Sequence, residues 1–191
     1  MNGVVAIEKG RRNRLRPLIW GAAAALLALP ALAMWLAPTA GVNWTGFDFI
    51  AMGVLLALAC GVYELGAWLS GNIWYRAGFG IAALAGLLTI WVNLAVGMLG
   101  DEDGSANLMF AGVLFIAAAG ALAAGFKPLG MSRAMFAAAV AQLLAVGVGM
   151  WMGQFEPHEL TLTAMFALPW LASAALFRKA TEDQLVAPPA R

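Results

Sequence analysis

Long apolar runs, separated by short polar connections, organise this chain. They extend approximately over 17–37, 50–69, 77–99, 108–126, 134–152 and 160–177. Each has about the 17–25 residues that a helix needs to cross roughly 30 Å of hydrocarbon. In lipid every backbone N–H and C=O must be paired within the protein, so an apolar run of this length predicts a helix. No stretch alternates apolar and polar residues in the manner of an outer-membrane barrel strand. The pattern predicts an all-α polytopic membrane protein, a six-transmembrane-helix bundle.

Composition agrees with the pattern and charge orients it. The 191 residues are 63% hydrophobic and 11% charged. Ordinary soluble domains are about 25% charged. A net charge of +1 gives no global bias toward nucleic acid, so only the placement of charge is informative. All eleven basic residues fall on one side of the six-span topology: Lys9, Arg11, Arg12, Arg14 and Arg16 in the leader, Arg76, Lys127 and Arg133 in two connections, and Arg178, Lys179 and Arg191 after the last span. Asp48, Asp101, Glu102, Asp103, Glu156 and Glu159 fall on the other side. The positive-inside rule then predicts both termini in the cytoplasm. The expected divisions are a basic cytoplasmic N-terminal segment, 1–16; a six-helix transmembrane domain, 17–177; and a disordered cytoplasmic tail, 178–191. The basic leader, the following apolar run and Ala31-Leu32-Ala33 also resemble a signal peptide with its cleavage site. We read the segment as a retained first span; its removal would leave five spans oriented as before.

Within the spans, Gly53-Val54-Leu55 and Gly61 match Gly112-Val113-Leu114 and Gly120, and Arg76-Ala77-Gly78-Phe79 matches Arg133-Ala134-Met135-Phe136. These matches raise a parallel repeat of two hairpins, spans 2–3 and 4–5, beside chance recurrence of small residues. Pro30 and Pro169 lie within spans one and six, where a missing backbone donor predicts kinks. Small residues four apart mark close helix contacts in lipid, and Ala57 with Gly61, Gly120 with Ala124, and Gly149 with Gly153 fit that spacing.

Polar residues in the spans are few. Glu64, the only charge left inside the hydrophobic runs, shares a helical face with Ala57, Gly61 and Trp68, which predicts that it points into the bundle. Asn93 shares a face with Gly86, Thr89, Gly97 and Gly100, and Gln142 one with Ala138, Ala145 and Gly149. Glu64, Arg76, Asn93 and Gln142 form a candidate polar path, because an ionisable group within a membrane is a functional-site candidate by default. The structural alternative makes the two amides interhelical clips and pairs Glu64 with Arg76.

Other chemistry is thin. Asp101, Asp103 and His158 are weak candidates for an outer-side cation site; the acidic triplet lacks the alternation of an EF-hand loop, and a solvated acidic loop is the default. No enzyme is expected: the lone His158 lies outside the spans, and no pair of carboxylates shares a face for acid and base work. Lone Cys60 excludes a disulfide framework and reads as packing. One histidine excludes bis-histidine haem, whereas a pigment or quinone is compatible with the chain and the cofactor is unassigned.

The stretch 91–107, with Asn93, Gly97, Gly100, the acidic triplet and Ala106-Asn107, together with Gly130-Met131-Ser132-Arg133-Ala134, resembles an uncharacterised family of small polytopic bacterial inner-membrane proteins. The resemblance covers spans two to five, implies a bacterial inner membrane and carries over no activity or site. The expected function is that of a nonenzymatic accessory, assembly or regulatory subunit working through helix contacts. The alternative is a small proton-coupled transporter or channel with Glu64 as the protonatable group. Expected partners are the lipid bilayer and another membrane protein or a second copy of the chain, with no nucleic acid.

Overall fold

In lipid, a helix end still has to satisfy its unpaired amides, and the helix starts in this chain are set by capping chemistry just outside the apolar runs. The computed structural model describes residues 15–101 and 103–186. The basic residues before Leu15, together with Glu102 and Arg191, lie outside these. The described chain is helical: α1 (Arg16–Leu36), α2 (Gly46–Leu69), α3 (Ile73–Ala95), α4 (Leu108–Ala123), α5 (Pro128–Met152), α6 (Pro157–Met165) and α7 (Ala167–Val186). Six segments are long and apolar enough to cross a membrane, with α6 and α7 together making the sixth. This is the build of a multi-pass membrane protein.

Capping explains why α2 starts at Gly46, before the apolar run. Thr45 and Asp48 form a capping box. In it the Asp48 carboxylate accepts from the Thr45 backbone N–H at 2.7 Å. At the head of α3, Asn72 Oδ1 accepts from the amides of Trp74 and Tyr75. Pro128 and Pro157 start α5 and α6, where the missing N–H costs no helical bond.

Packing joins the helices in the order α1, α2, α3, α7, α5, α4, each antiparallel to its neighbour, and α4 also touches α3. The centre is the α3, α5 and α7 group, which buries Tyr75, Phe79, Ala138, Ala139, Trp170 and Phe177. Ser173 Oγ donates to the Gly78 carbonyl and Ser132 Oγ to the Ala174 carbonyl, so α7 is tied to both flanking helices. α1 packs on α2 and has no buried residue.

Several expectations change. The third helix ends at Ala95. Just beyond it Gly97 and Gly100 adopt left-handed φ of 74° and 68°, a conformation that glycine enters without steric cost and that a helix cannot continue through. These two glycines therefore do not continue the Asn93 face. The chain after α3 turns inward, and Leu99, which the apolar pattern places at the end of span three, fills the core at 0% exposure. The segment expected to be a disordered tail is helical as far as Val186. Ala180 is fully buried, and Arg178 pairs with Glu182 one turn on. Asn72 Nδ2 donates to the Asp183 carboxylate at 3.2 Å. Residues 187–191 lie outside the described chain.

The two prolines behave differently. α1 runs through Pro30 without interruption, whereas the sixth span is kinked at the single residue Phe166, just before Pro169, with φ -66° and ψ -12° still near helical. In both places proline removes a donor. At the sixth span a neighbour stabilises the kink, since Gln142 on α5 supplies a side-chain donor to the Thr163 carbonyl there.

Candidate functional site

The spacing of Ala57, Gly61, Glu64 and Trp68 predicts an inward face on α2; that face points outward. Ala57 and Gly61 are exposed, a Cβ added at Gly61 would meet nothing within 4 Å, and Trp68 is 79% exposed. α2 turns Leu56, Cys60 and Ala67 inward instead. The reason is steric: the closest approach of α2 to α3 occurs at Gly66, where an added Cβ would overlap the Phe79 ring.

Glu64 thus lies at the α1–α2 edge, and its partners belong to α1. Arg16 Nε lies 2.9 Å from Glu64 Oε1, and Trp20 Nε1 donates to the same oxygen at 2.6 Å. Arg76 reaches elsewhere: its Nη2 donates to Tyr63 Oη at 3.3 Å, with the guanidinium carbon 5.9 Å from the Tyr63 ring centre. That distance is within the range of a cation–π contact. The Glu64 pairing expected with Arg76 is taken by Arg16.

Gln142 is fully buried on the face shared with Ala138, Ala145 and Gly149, as its spacing predicts. Its Nε2 donates to the Thr163 carbonyl at 3.0 Å, within the last turn of α6 before the kink. Thr163 Oγ1 in turn donates to the Met98 carbonyl at 2.6 Å. Gln142 therefore clips α5 to the kinked span, and Thr163 clips that span to the segment turning in after α3. Asn107 completes the junction: its Oδ1 accepts from the amides of Met98 and Leu99, and its Nδ2 donates to the Asp101 carbonyl. Leu99 then sits in the gap left by Gly149, where an added Cβ would lie 2.9 Å from Leu99 Cδ1.

Protein-family models, curated proteins and solved structures show no match to this chain.

Asn93 donates to the Thr89 carbonyl of its own helix at 2.8 Å. The four side chains of the candidate polar path accordingly engage four different neighbours: α1, Tyr63, the Thr89 carbonyl and α6. At the acidic end, Glu159 accepts from the Glu156 amide in a capping box and His158 is exposed. Asp101, Asp103 and His158 form no group of three metal-capable side chains among the described residues. Of the small-residue pairs, Gly120 and Ala124 do form a contact face, with an added Cβ at Gly120 2.7 Å from Ala134 Cβ. Gly153 instead ends α5 in a left-handed conformation and touches nothing.

Asn107 and Thr163 escape the sequence reading. A signal for Asn107 was available: an amide following Gly97, Gly100 and Gly104 marks a loop whose turns leave backbone donors in need of an acceptor. Thr163 carries no comparable signal, since threonine in an apolar helix ordinarily bonds its own backbone.

Proposed function

We propose that this chain is a nonenzymatic accessory, assembly or regulatory subunit of a bacterial cytoplasmic membrane, with both termini in the cytoplasm, acting through helix contacts. The observation that carries this reading is the placement of Glu64. The one carboxylate within the apolar runs is held at the molecule's edge by Arg16 and Trp20, where it fastens α1 to the remaining helices. A carboxylate serving proton transport is expected to face the bundle interior or a water-filled cavity. The buried amide of Gln142 supports the same reading, since it bonds a backbone carbonyl of another helix as a structural clip does, whereas the half-buried Asn93 bonds within its own helix. Orientation is supported by the gathering of basic side chains at one end.

A second reading, a small proton-coupled transporter or channel, draws on the kink at Phe166. Kinked spans can hinge, and the buried Gln142 Oε1 and Thr89 Oγ1 have no hydrogen-bond partner among the described residues. Purification in mild detergent followed by native mass spectrometry separates the two. A stable partner, with no flux of ions or solutes from proteoliposomes, is the expected result. A pH-dependent flux abolished by Glu64→Gln would overturn the accessory reading.

A further inference from the structure

Near the basic end of the bundle α3 is tied to the turn that follows α4. There the Tyr75 hydroxyl donates to the Phe126 carbonyl at 2.7 Å, and the Phe79 and Phe126 rings lie 6.3 Å apart. Phe126 holds a left-handed φ of 57°. Such a backbone is unusual for a residue with a bulky side chain, so the turn from α4 into α5 is fixed by this packing. Beyond that link the side chain of Leu114 in α4 reaches toward Gly86 in α3. A groove of about 440 Å³ opens between the two helices, walled on its other side by α2 and floored by Met131, Met135 and Trp170. Its volume lies within the roughly 300–1,000 Å³ typical of small-molecule sites. Along α2 it runs from Leu65 to Leu55. At about 1.5 Å per residue that is about 15 Å. The length is half of a roughly 30 Å hydrocarbon core, one leaflet's share. No charged residue lines it.

Charge gathers at one end of the groove. The exposed Lys127 directly follows the groove-lining Phe126, at the end of the groove where α5 begins, while the Arg76 guanidinium near the same end is held by Tyr63. An apolar slot one leaflet long, with cations where that leaflet's headgroups begin, matches an amphiphile that has an apolar chain and an anionic head. Basic pockets between membrane helices hold anionic headgroups by the same complementarity.

We propose that the groove is a binding site for one anionic phospholipid, with an acyl chain between α2, α3 and α4 and the phosphate at Lys127. The lipid would act as a wedge, filling a gap that the helices themselves leave open. The proposal rests on the membrane reading and not on the accessory role, so a failed partner search leaves it intact.

Native mass spectrometry of the full chain, released from mixed phosphatidylglycerol and phosphatidylcholine vesicles, tests it. The expected result is one retained phosphatidylglycerol in preference to phosphatidylcholine. Lys127→Gln should reduce that preference about fivefold, the equivalent of one surface cation, while Arg133→Gln, an exposed change off the groove face, leaves it unaltered. Gly86→Leu should abolish retention of either lipid, because an added Cβ there has only Leu114 Cδ2 nearby, at 3.8 Å, and a longer side chain enters the groove. Should Gly86→Leu fail to fold, Ala118→Phe on the exposed rim makes the same test. Equal retention of the two lipids, a quinone or neutral lipid in place of phosphatidylglycerol, or wild-type retention by the filled-groove variants would overturn the proposal.

Discussion

At the α1–α2 edge, Glu64 meets Arg16 with 27% and 65% of their side chains exposed, and the junction is ionic. At the α5–α6 junction, Gln142 and Thr163 are 0% and 2% exposed, and every bond they make across elements ends on a backbone carbonyl. The two places use polar groups in opposite ways. The first joins a peripheral helix through an ion pair left open at the bundle's edge, near the end of the spans, where both long side chains can turn to the headgroups if they part. The second has closed over groups with no water to replace a missing partner, so each broken bond leaves a costly orphan. Stability should therefore reside in the neutral junction, and adjustability in the charged one.

The sharpest break in that contrast is Asn107→Ala. One side chain accepts from two amides and donates to one carbonyl, and Leu99 depends on it for its place in the core. At about 1 kcal/mol for each lost bond, the change should cost about 3 kcal/mol. Reversible unfolding in mixed detergent measures it, and limited proteolysis should cut near residue 100 well before global unfolding. A loss below about 1 kcal/mol would mean that the inward segment is held by Leu99 packing alone.

Thr163→Val comes next. The substitution keeps the shape and orphans the Met98 carbonyl in an apolar interior, at a cost of about 1–2 kcal/mol. Gln142→Leu provides the contrast within the same junction. Gln142 Oε1 already lacks a partner among the described residues, so removing the amide relieves one orphan while losing one bond. It should cost less than Thr163→Val in the same unfolding assay. The reverse ranking would make Gln142 the main clip and reduce Thr163 to a filler.

The six spans and their charge segregation are legible in the sequence because lipid imposes length and apolarity on each span separately, and both are local properties. Which face of a helix turns inward is not local. The Ala57, Gly61, Glu64 and Trp68 stripe has the spacing of a contact face, but the fit of Gly66 against Phe79 rotates α2 the other way, and that fit depends on a residue in another helix. The face of Gln142 is legible because its whole stripe of alanine and glycine is buried with it, leaving one possible face. Leu99 misleads for a related reason. Its hydrophobicity reads as span, although Gly97 and Gly100 beside it have already stopped the helix. Pro169 signals the kink in span six, where Phe166 alone leaves the regular helix while keeping a near-helical backbone.

The smallest expected effect tests the ionic side of the contrast. With both side chains able to turn to headgroups and water at the end of the spans, the pair should contribute about 0.2–1 kcal/mol, so a double-mutant cycle of Arg16→Gln and Glu64→Gln should give a coupling in that range. Global unfolding will scarcely register it, because α1 has no buried residue and packs on α2 alone among its principal contacts. The informative readout is local. With cysteines introduced at Leu27 and Gly53, which face each other across the two helices, disulfide formation reports how often α1 is docked. Each single variant should slow cross-linking by a factor of a few, and the double variant no more than either, since both changes remove the same contact. If the double variant slowed it by the product of the single effects, Arg16 and Glu64 would act independently. The Trp20 bond to Glu64 would then carry the attachment, and the outer helix would be held by a neutral donor after all.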